Sequence, residues 1–234
     1  NSWIISHFPE NYETLTYLEP YSGTADVLLN KRKSTIEIVN NLDQAIKNIF
    51  YALRDESTEF TRRLNLCKFC DDTYERCCNK LEKKQFGDYL DQAVNEFVVN
   101  SMNTNKKTVD EKKINLWKKN LKKLAELSTR LREVYIFYRS ALKVIQAFDD
   151  EETLMYCNPP RLYETKVSKT VYCSEMTTED HIELSHILNS FKGKAIISGC
   201  QSPLYNRLYK GWNMEKKKIE NSREKIVEII WKNF

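Results

Sequence analysis

The stretch TYLEPYSGTADVLLNKRKSTIEIVNN, residues 16–41, decides the fold. Residues 16–18 are β-prone and stop at Glu19-Pro20, where proline ends the strand. Tyr21-Ser22-Gly23-Thr24 has the composition of a turn, and residues 25–31 suit a helix. Residues 35–39 alternate branched apolar side chains with Glu37 and predict a second strand. Asn40-Asn41-Leu42-Asp43 then opens a helix through Ile46, Ile49, Phe50 and Leu53, spaced three and four apart. Strand, turn, helix, strand, turn, helix is the start of a doubly wound α/β sheet.

Outward from this stretch the pattern changes and then returns. Residues 60–132 predict helices and almost no strand, with a polar loop at residues 100–105. Ile114, Trp117, Leu121, Leu124 and Leu131 form one apolar stripe at helical spacing, which reads as packing. Residues 134–138 predict a strand, 141–148 a helix, and 153–157 a buried strand stopped by Asn158-Pro159-Pro160. Residues 177–191 predict a helix with a Thr177/Asp180 cap signature. Residues 194–198 and 225–231 predict two further strands. The order is α/β, helical insertion, α/β.

Composition limits the classes. With 234 residues, 41% hydrophobic and 12% aromatic, the chain can bury a core as one domain with a sizeable insertion, so global disorder is excluded. Five glycines and five prolines exclude collagen-like or linker-dominated chains. No apolar run approaches the roughly 18–20 residues of a membrane span. The opening NSWIISHFPENYE lacks the pattern of a signal peptide. Seven cysteines without such a signal predict reduced thiols in a cytosolic protein.

Net charge is only +4, but between residues 106 and 132 eight lysines and two arginines face Asp110, Glu111 and Glu126. Lys112, Lys113, Lys118, Lys119, Lys122 and Lys123 are the candidates for contacting phosphates. A solvated helix face has the same composition.

Three groups could carry chemistry. Glu19-Pro20-Tyr21-Ser22-Gly23 sits where a strand ends, and ligands in doubly wound folds bind outside the carboxyl ends of strands. An ordinary strand-to-helix turn reads the same way. Asn158-Pro159-Pro160 lacks two amide donors, which leaves backbone carbonyls free to accept hydrogen bonds. A side-chain amide oxygen beside such a carbonyl suits an exocyclic NH₂ group, though a rigid turn looks alike. Cys67-x-x-Cys70 with Cys77-Cys78 is the one zinc-like spacing. Its pairs lie close together, so packing is expected rather than a metal. A small zinc-knuckle module that binds nucleic acid is the class this spacing alone would support. His7, His181 and His186 complete no ligand set.

Together and in this order, the motifs resemble the phage-type, Dam-like DNA adenine-N6 methyltransferases. WIISHFP (3–9) resembles the entry to their first strand. EPYSGTADVLLNK (19–31) is similar to their EPFxGxG cofactor loop and the helix after it. IEIVNNLDQAIKNIFYALRD (36–55) resembles their second strand, turn and helix. TLMYCNPPRLYETK (153–166) is similar to the segment around Asp-Pro-Pro-Tyr. Residues 175–212, with Ser202-Pro203-Leu204-Tyr205, resemble the helix, strand and loop that follow, and residues 228–234 the last strand.

The resemblance implies an α/β fold: a Rossmann-like, S-adenosylmethionine-dependent methyltransferase sheet with an inserted helical subdomain. It implies a catalytic core at 1–59 and 133–234, and a target-recognition subdomain at 60–132. It assigns S-adenosylmethionine to Glu19, Pro20, Tyr21, Ser22, Gly23, Asn41, Leu42 and Asn158. Methyl transfer to a flipped adenine falls to Asn158, Pro159, Pro160 and Arg161. The expected partner is double-stranded DNA, contacted by the lysines above, with no metal and no membrane. A monomer in the cytoplasm of a bacterial or phage-infected cell is expected, in a restriction-modification setting.

The chain also departs from the family pattern. Ala25, followed by Asp26, stands for the second loop glycine, and Asn41 for the acidic residue expected at the ribose hydroxyls. Asn158 stands for Asp, as in related amino-methyltransferases. Arg161 stands for the aromatic residue that stacks on adenine, with Tyr163 two residues on. The family's Gly-Gly-Lys segment would lie before Asn1. These departures predict methyl transfer that is very slow or undetectable. The alternative is a catalytically inactive relative that binds nucleic acid or a protein.

Overall fold

A computed structural model of the chain describes residues 1–102, 111–162, 175–221 and 224–234. Its elements begin with α1 (Ser2–Ile5), β1 (Thr16–Glu19), α2 (Asp26–Asn30) and β2 (Ile36–Asn40). Five helices follow: α3 (Gln44–Asp55), α4 (Ser57–Asn65), α5 (Asp71–Glu82), α6 (Tyr89–Met102) and α7 (Glu111–Leu131). Then come β3 (Val134–Phe137), α8 (Ala141–Ala147), β4 (Thr153–Cys157), α9 (Thr178–Asn189), β5 (Lys194–Gly199), α10 (Pro203–Leu208), β6 (Asn213–Asn221) and β7 (Glu224–Lys232).

The strands form one sheet in the order β3-β2-β1-β4-β5-β7-β6. β1 runs parallel to β2 and β4, and β4 parallel to β5, whereas β7 is antiparallel to β5 and β6. The chain thus has the mixed α/β fold expected for a Rossmann-like sheet. Strands covered on both faces read as continuous apolar runs, and all five residues of β4 are buried. Leu18, Ile38, Met155, Cys157, Ala195, Ile197 and Trp231 meet Leu184, Leu188 and Phe191 in the core. The strand order reverses between β1 and β4. That switch point opens a crevice at the carboxyl ends of the strands.

The chain divides into two compact units, Asn1–Asp43 with Phe137–Phe234, and Gln44–Ile136. The second unit is wider than the expected 60–132, because α3 packs on α4, α6 and α7. Its α7 buries Trp117, Leu124, Ser128 and Leu131. The ring of Trp117 meets Phe97 at 5.8 Å and Phe69 at 6.0 Å. Ile114 and Leu121 of the expected stripe are half-buried beside them. Lys112, Lys118, Lys119, Lys122 and Lys123 are exposed and Lys113 is half-buried, as a helix with one apolar stripe requires.

Several local expectations are corrected. The segment at 3–9 is not a strand entry: Ser2–Ile5 is a helical turn that buries Ile4. Residues 100–102 end α6 rather than forming a loop, and 103–105 lie outside the described residues. The β6 strand was not legible, because Met-Glu-Lys-Lys-Lys has no apolar alternation. It pairs along β7 from Asn213 to Asn221 as an edge strand, where lysines are common. Residues 203–208 are a helix: Pro203 takes its first turn and the Ser202 hydroxyl accepts the Tyr205 N–H. The Thr177/Asp180 capping box is present at α9.

The turns at the crevice are tied by Asn40. Its Nδ2 donates to the Pro20 and Arg139 carbonyls, each at 3.0 Å, and its Oδ1 accepts the Arg139 N–H at 3.0 Å. Its own carbonyl accepts both the N–H and the hydroxyl of Ser22 at 3.1 Å. Asn40→Ala strands the Pro20 carbonyl and the Arg139 N–H and carbonyl, each worth about 1 kcal/mol, and leaves the Ser22 bonds to the main-chain carbonyl in place. Chemical denaturation should therefore show a loss of about 2–4 kcal/mol, and a loss below about 1 kcal/mol would contradict this role.

Candidate functional site

The crevice at the switch point holds a cavity of about 280 Å³. Its lining joins the turn after β1 (Glu19, Tyr21, Ser22, Gly23, Thr24, Asp26, Val27) to Tyr156 and Asn158 at the end of β4. Asn1, Trp3 and Ile4 from α1, Lys217 of β6 and Glu228 of β7 complete it. Small-molecule sites typically measure about 300–1,000 Å³, so this one falls just below that range.

The turn has the backbone a ligand loop needs. Gly23 lies at φ +50°, and a Cβ placed there would meet no atom within 4 Å, so the backbone stands open. Ala25 also lies in the left-handed region, at φ +54°, outside the helix expected to include it. Its Cβ makes that conformation cost about 1 kcal/mol or more. Hydrogen bonds hold it there: the Ala25 N–H donates to the Ser22 carbonyl at 2.7 Å, and Asn41 Nδ2 to the Gly23 carbonyl at 2.9 Å. Asn41 Oδ1 accepts the Asp43 N–H at 2.8 Å.

A buried polar chain lies beneath the turn. Lys31 and Glu37 are both buried and pair at 2.6 Å. Lys31 also donates to the Ser34 hydroxyl at 2.8 Å and stands 4.2 Å from the centre of the Tyr17 ring. The Tyr17 hydroxyl donates to Glu19 Oε1 at 2.7 Å, and the Leu28 N–H donates to the same oxygen at 2.7 Å. Burial nevertheless outweighs both donors and raises the Glu19 pKa from 4.5 to about 7. Glu37 is buried in β2 with its cation six residues back across a turn.

Asn158 ends β4 with its side chain exposed. Its Oδ1 accepts the Ser198 hydroxyl at 2.9 Å, and Ser198 Oγ lies 3.1 Å from the Tyr156 hydroxyl. Pro159 is buried, Pro160 half-buried and Arg161 exposed, while Tyr163 lies outside the described residues.

Of the expected site residues, Glu19, Tyr21, Ser22, Gly23 and Asn158 meet in the cavity. Pro20, Asn41, Leu42, Pro159, Pro160 and Arg161 are beside it in the chain but do not line it. Asn41 spends its amide bracing the Gly23 turn. The six lysines belong to the other compact unit. Asp26 was noted only as following Ala25, and Tyr156, Ser198, Lys217 and Glu228 were not singled out. No local pattern marks them, since strand order brings them together. The six described cysteines are free thiols. Among the described residues, no three His, Cys, Asp or Glu side chains are placed to hold a metal ion, and no helix is long and apolar enough to cross a membrane.

A family model described as D12 class N6 adenine-specific DNA methyltransferase matches residues 1–226. No protein with a curated description matches the chain. Among solved structures, the chain is similar to the rRNA methyltransferase aviRa from Streptomyces viridochromogenes, with 14% identity and a TM-score of 0.44. That likeness covers 98% of this chain and 80% of that one.

The raised pKa of Glu19 has a consequence for stability. The folded chain binds this proton more tightly than the unfolded chain. The stabilisation is complete below pH 4.5, falls by up to about 3 kcal/mol as pH rises through 7, and is flat above. Glu19→Gln keeps both acceptor bonds and removes the titration. The variant should exceed the parent by about 1–3 kcal/mol in denaturation at pH 8 and lose that advantage near pH 4.5. A difference independent of pH would show that Glu19 does not titrate in that window.

Proposed function

The chain belongs to the D12 class of N6 adenine-specific DNA methyltransferases, and from that premise we propose that it binds S-adenosylmethionine beside Gly23 and slowly methylates the N6 amino group of an adenine in duplex DNA. The observation that carries this reading is that the Gly23 turn and Asn158, far apart in sequence but at the ends of adjacent strands, line one cavity. Asp26 and Glu228 face a single lysine there, so the cavity favours a cationic ligand, the more so above pH 7 where Glu19 is ionised. The open backbone at Gly23 suits close approach. Bound there, S-adenosylmethionine would supply a methyl group on a positively charged sulfur, and the carbon–sulfur bond would break with its electron pair left on sulfur.

The part of this chain's own residues is positional. The amide oxygen of Asn158 has one lone pair engaged by Ser198 and a second left to accept an amino proton. The Pro159 carbonyl is the natural acceptor for the other. Two acceptors on the two protons would turn the nitrogen lone pair toward the methyl carbon, and the surplus N6 proton would pass to solvent after transfer. Positioning of this kind is worth about 7–11 kcal/mol. The adenine must first leave the helix stack, at a cost of a few kcal/mol. The exposed lysines of α7 would hold DNA through its phosphates.

Arg161 favours a second reading, an inactive relative that keeps DNA or protein binding. Its guanidinium replaces an aromatic face, and base–aromatic stacking is worth about 1–3 kcal/mol. Calorimetry with S-adenosylmethionine separates the readings. Binding is expected, weakened at least about tenfold by Gly23→Trp, and no binding to the parent chain would favour the inactive relative. Transfer of labelled methyl groups to DNA should be slow, and Arg161→Tyr should raise it by about tenfold to a hundredfold. Fast transfer by the parent would show that Arg161 is no handicap.

The lysine reading is checked by salt. Log DNA affinity should fall with log salt at a slope of about −0.9 per phosphate neutralised. Changing Lys118, Lys119, Lys122 and Lys123 to Gln should flatten it. An unchanged slope would leave them as a solvated helix face.

A further inference from the structure

Beneath Asn158 lie two hydroxyls that the family pattern does not call on. Tyr156 and Ser198 are both buried. Tyr156 is the register partner of Ile196 on β5, and Ser198 lies two residues further along that strand, on the same side. Their oxygens are 3.1 Å apart, and Ser198 Oγ is 2.9 Å from Asn158 Oδ1.

We propose that Ser198, supplied with a hydrogen bond by Tyr156, is a positioning residue that fixes the orientation of the Asn158 amide. This rests on the reading of Asn158 as an acceptor of the amino protons. An exposed asparagine amide turns readily about its Cβ–Cγ bond, which exchanges oxygen for NH₂. With NH₂ in the acceptor's place, donors would face the two N–H donors of adenine. The relay selects against that exchange by hydrogen accounting. Each hydroxyl has one hydrogen to give. When Tyr156 donates to Ser198, Ser198 must donate onward, and only an oxygen can receive it. The reverse direction would have the Asn158 NH₂ donate to Ser198 and Ser198 donate to Tyr156. The Tyr156 hydrogen would then have no protein acceptor among the described residues, whereas the forward direction pairs every donor of the relay within the protein. The forward direction keeps one lone pair of Oδ1 occupied and leaves the other for substrate. Nearby Glu19 and Glu228 add to burial in holding the phenol protonated, as the relay requires.

The test uses the full chain with its asparagines labelled with ¹⁵N, and the Asn158 side-chain signal identified by its loss in Asn158→Asp. The order parameter of that NH₂ group should fall below about 0.6 in Ser198→Ala, from a value typical of rigid groups near 0.85. Ser198→Thr, which keeps the hydroxyl, should restore it. Tyr156→Phe should lower it with no added bulk, so the result does not depend on how one variant packs. In methyl transfer, Ser198→Ala should lower kcat about tenfold or more and change KM for DNA less than about threefold. An unchanged order parameter in both Ser198→Ala and Tyr156→Phe overturns the relay, whether or not the parent chain turns over. A mobile amide with unchanged kcat would instead overturn the underlying assignment of Asn158 as acceptor.

Discussion

The carboxamide of Asn40 is the constraint on which the crevice depends. A turn at a strand end exposes N–H and C=O groups that the sheet ladder no longer pairs, and buried backbone groups must find partners. The Asn40 amide supplies them for the Pro20 carbonyl after β1 and for Arg139 after β3, while the main-chain carbonyl of the same residue takes Ser22 in the turn. One residue thus sets the level at which three chain segments end. Asn41 continues the tie to the Gly23 carbonyl. The open, left-handed backbone at Gly23 and the strained one at Ala25 persist because these bonds over-determine the turn.

A second constraint lies one layer deeper. Burying Lys31 and Glu37 removes both from water, a cost their attraction offsets only with good geometry and further hydrogen bonds. Ser34, the Arg32 carbonyl and the Tyr17 ring supply these around the pair. Tyr17 then carries the arrangement to Glu19 at the cavity wall. Both donors to Glu19 hold the same oxygen, which fixes the carboxyl group without fully compensating its burial. A carboxyl held this way takes up its proton near neutral pH.

Much of the fold is legible in the residues because its signals are local. The Thr16–Glu19 strand ends at a proline, the Thr153–Cys157 strand at Asn-Pro-Pro, and Thr177 with Asp180 marks the start of α9. Each depends on neighbours within a few positions. The misses share the opposite property. β6 is a strand only because β7 offers it a ladder, against a lysine run with no apolar alternation. Short α1 hides its turn in three apolar residues that read equally well as extended chain. α3 groups with the second compact unit through packing on later helices, which no boundary signal at its start records.

The same division runs through the candidate site. The sequence by itself determined the α/β class, the family motifs, and the residue types at the ends of β1 and β4, because backbone preference and motif spacing are written in consecutive residues. Only the tertiary structure decided which of those residues share a cavity. Strand order placed Glu228 and Lys217 beside the Gly23 turn, brought Ser198 against Asn158 across forty positions, and turned Asn41 to bracing the loop. Those contacts follow from the register of paired strands and from the need to satisfy buried polar groups, and neither can be computed from any local stretch of chain.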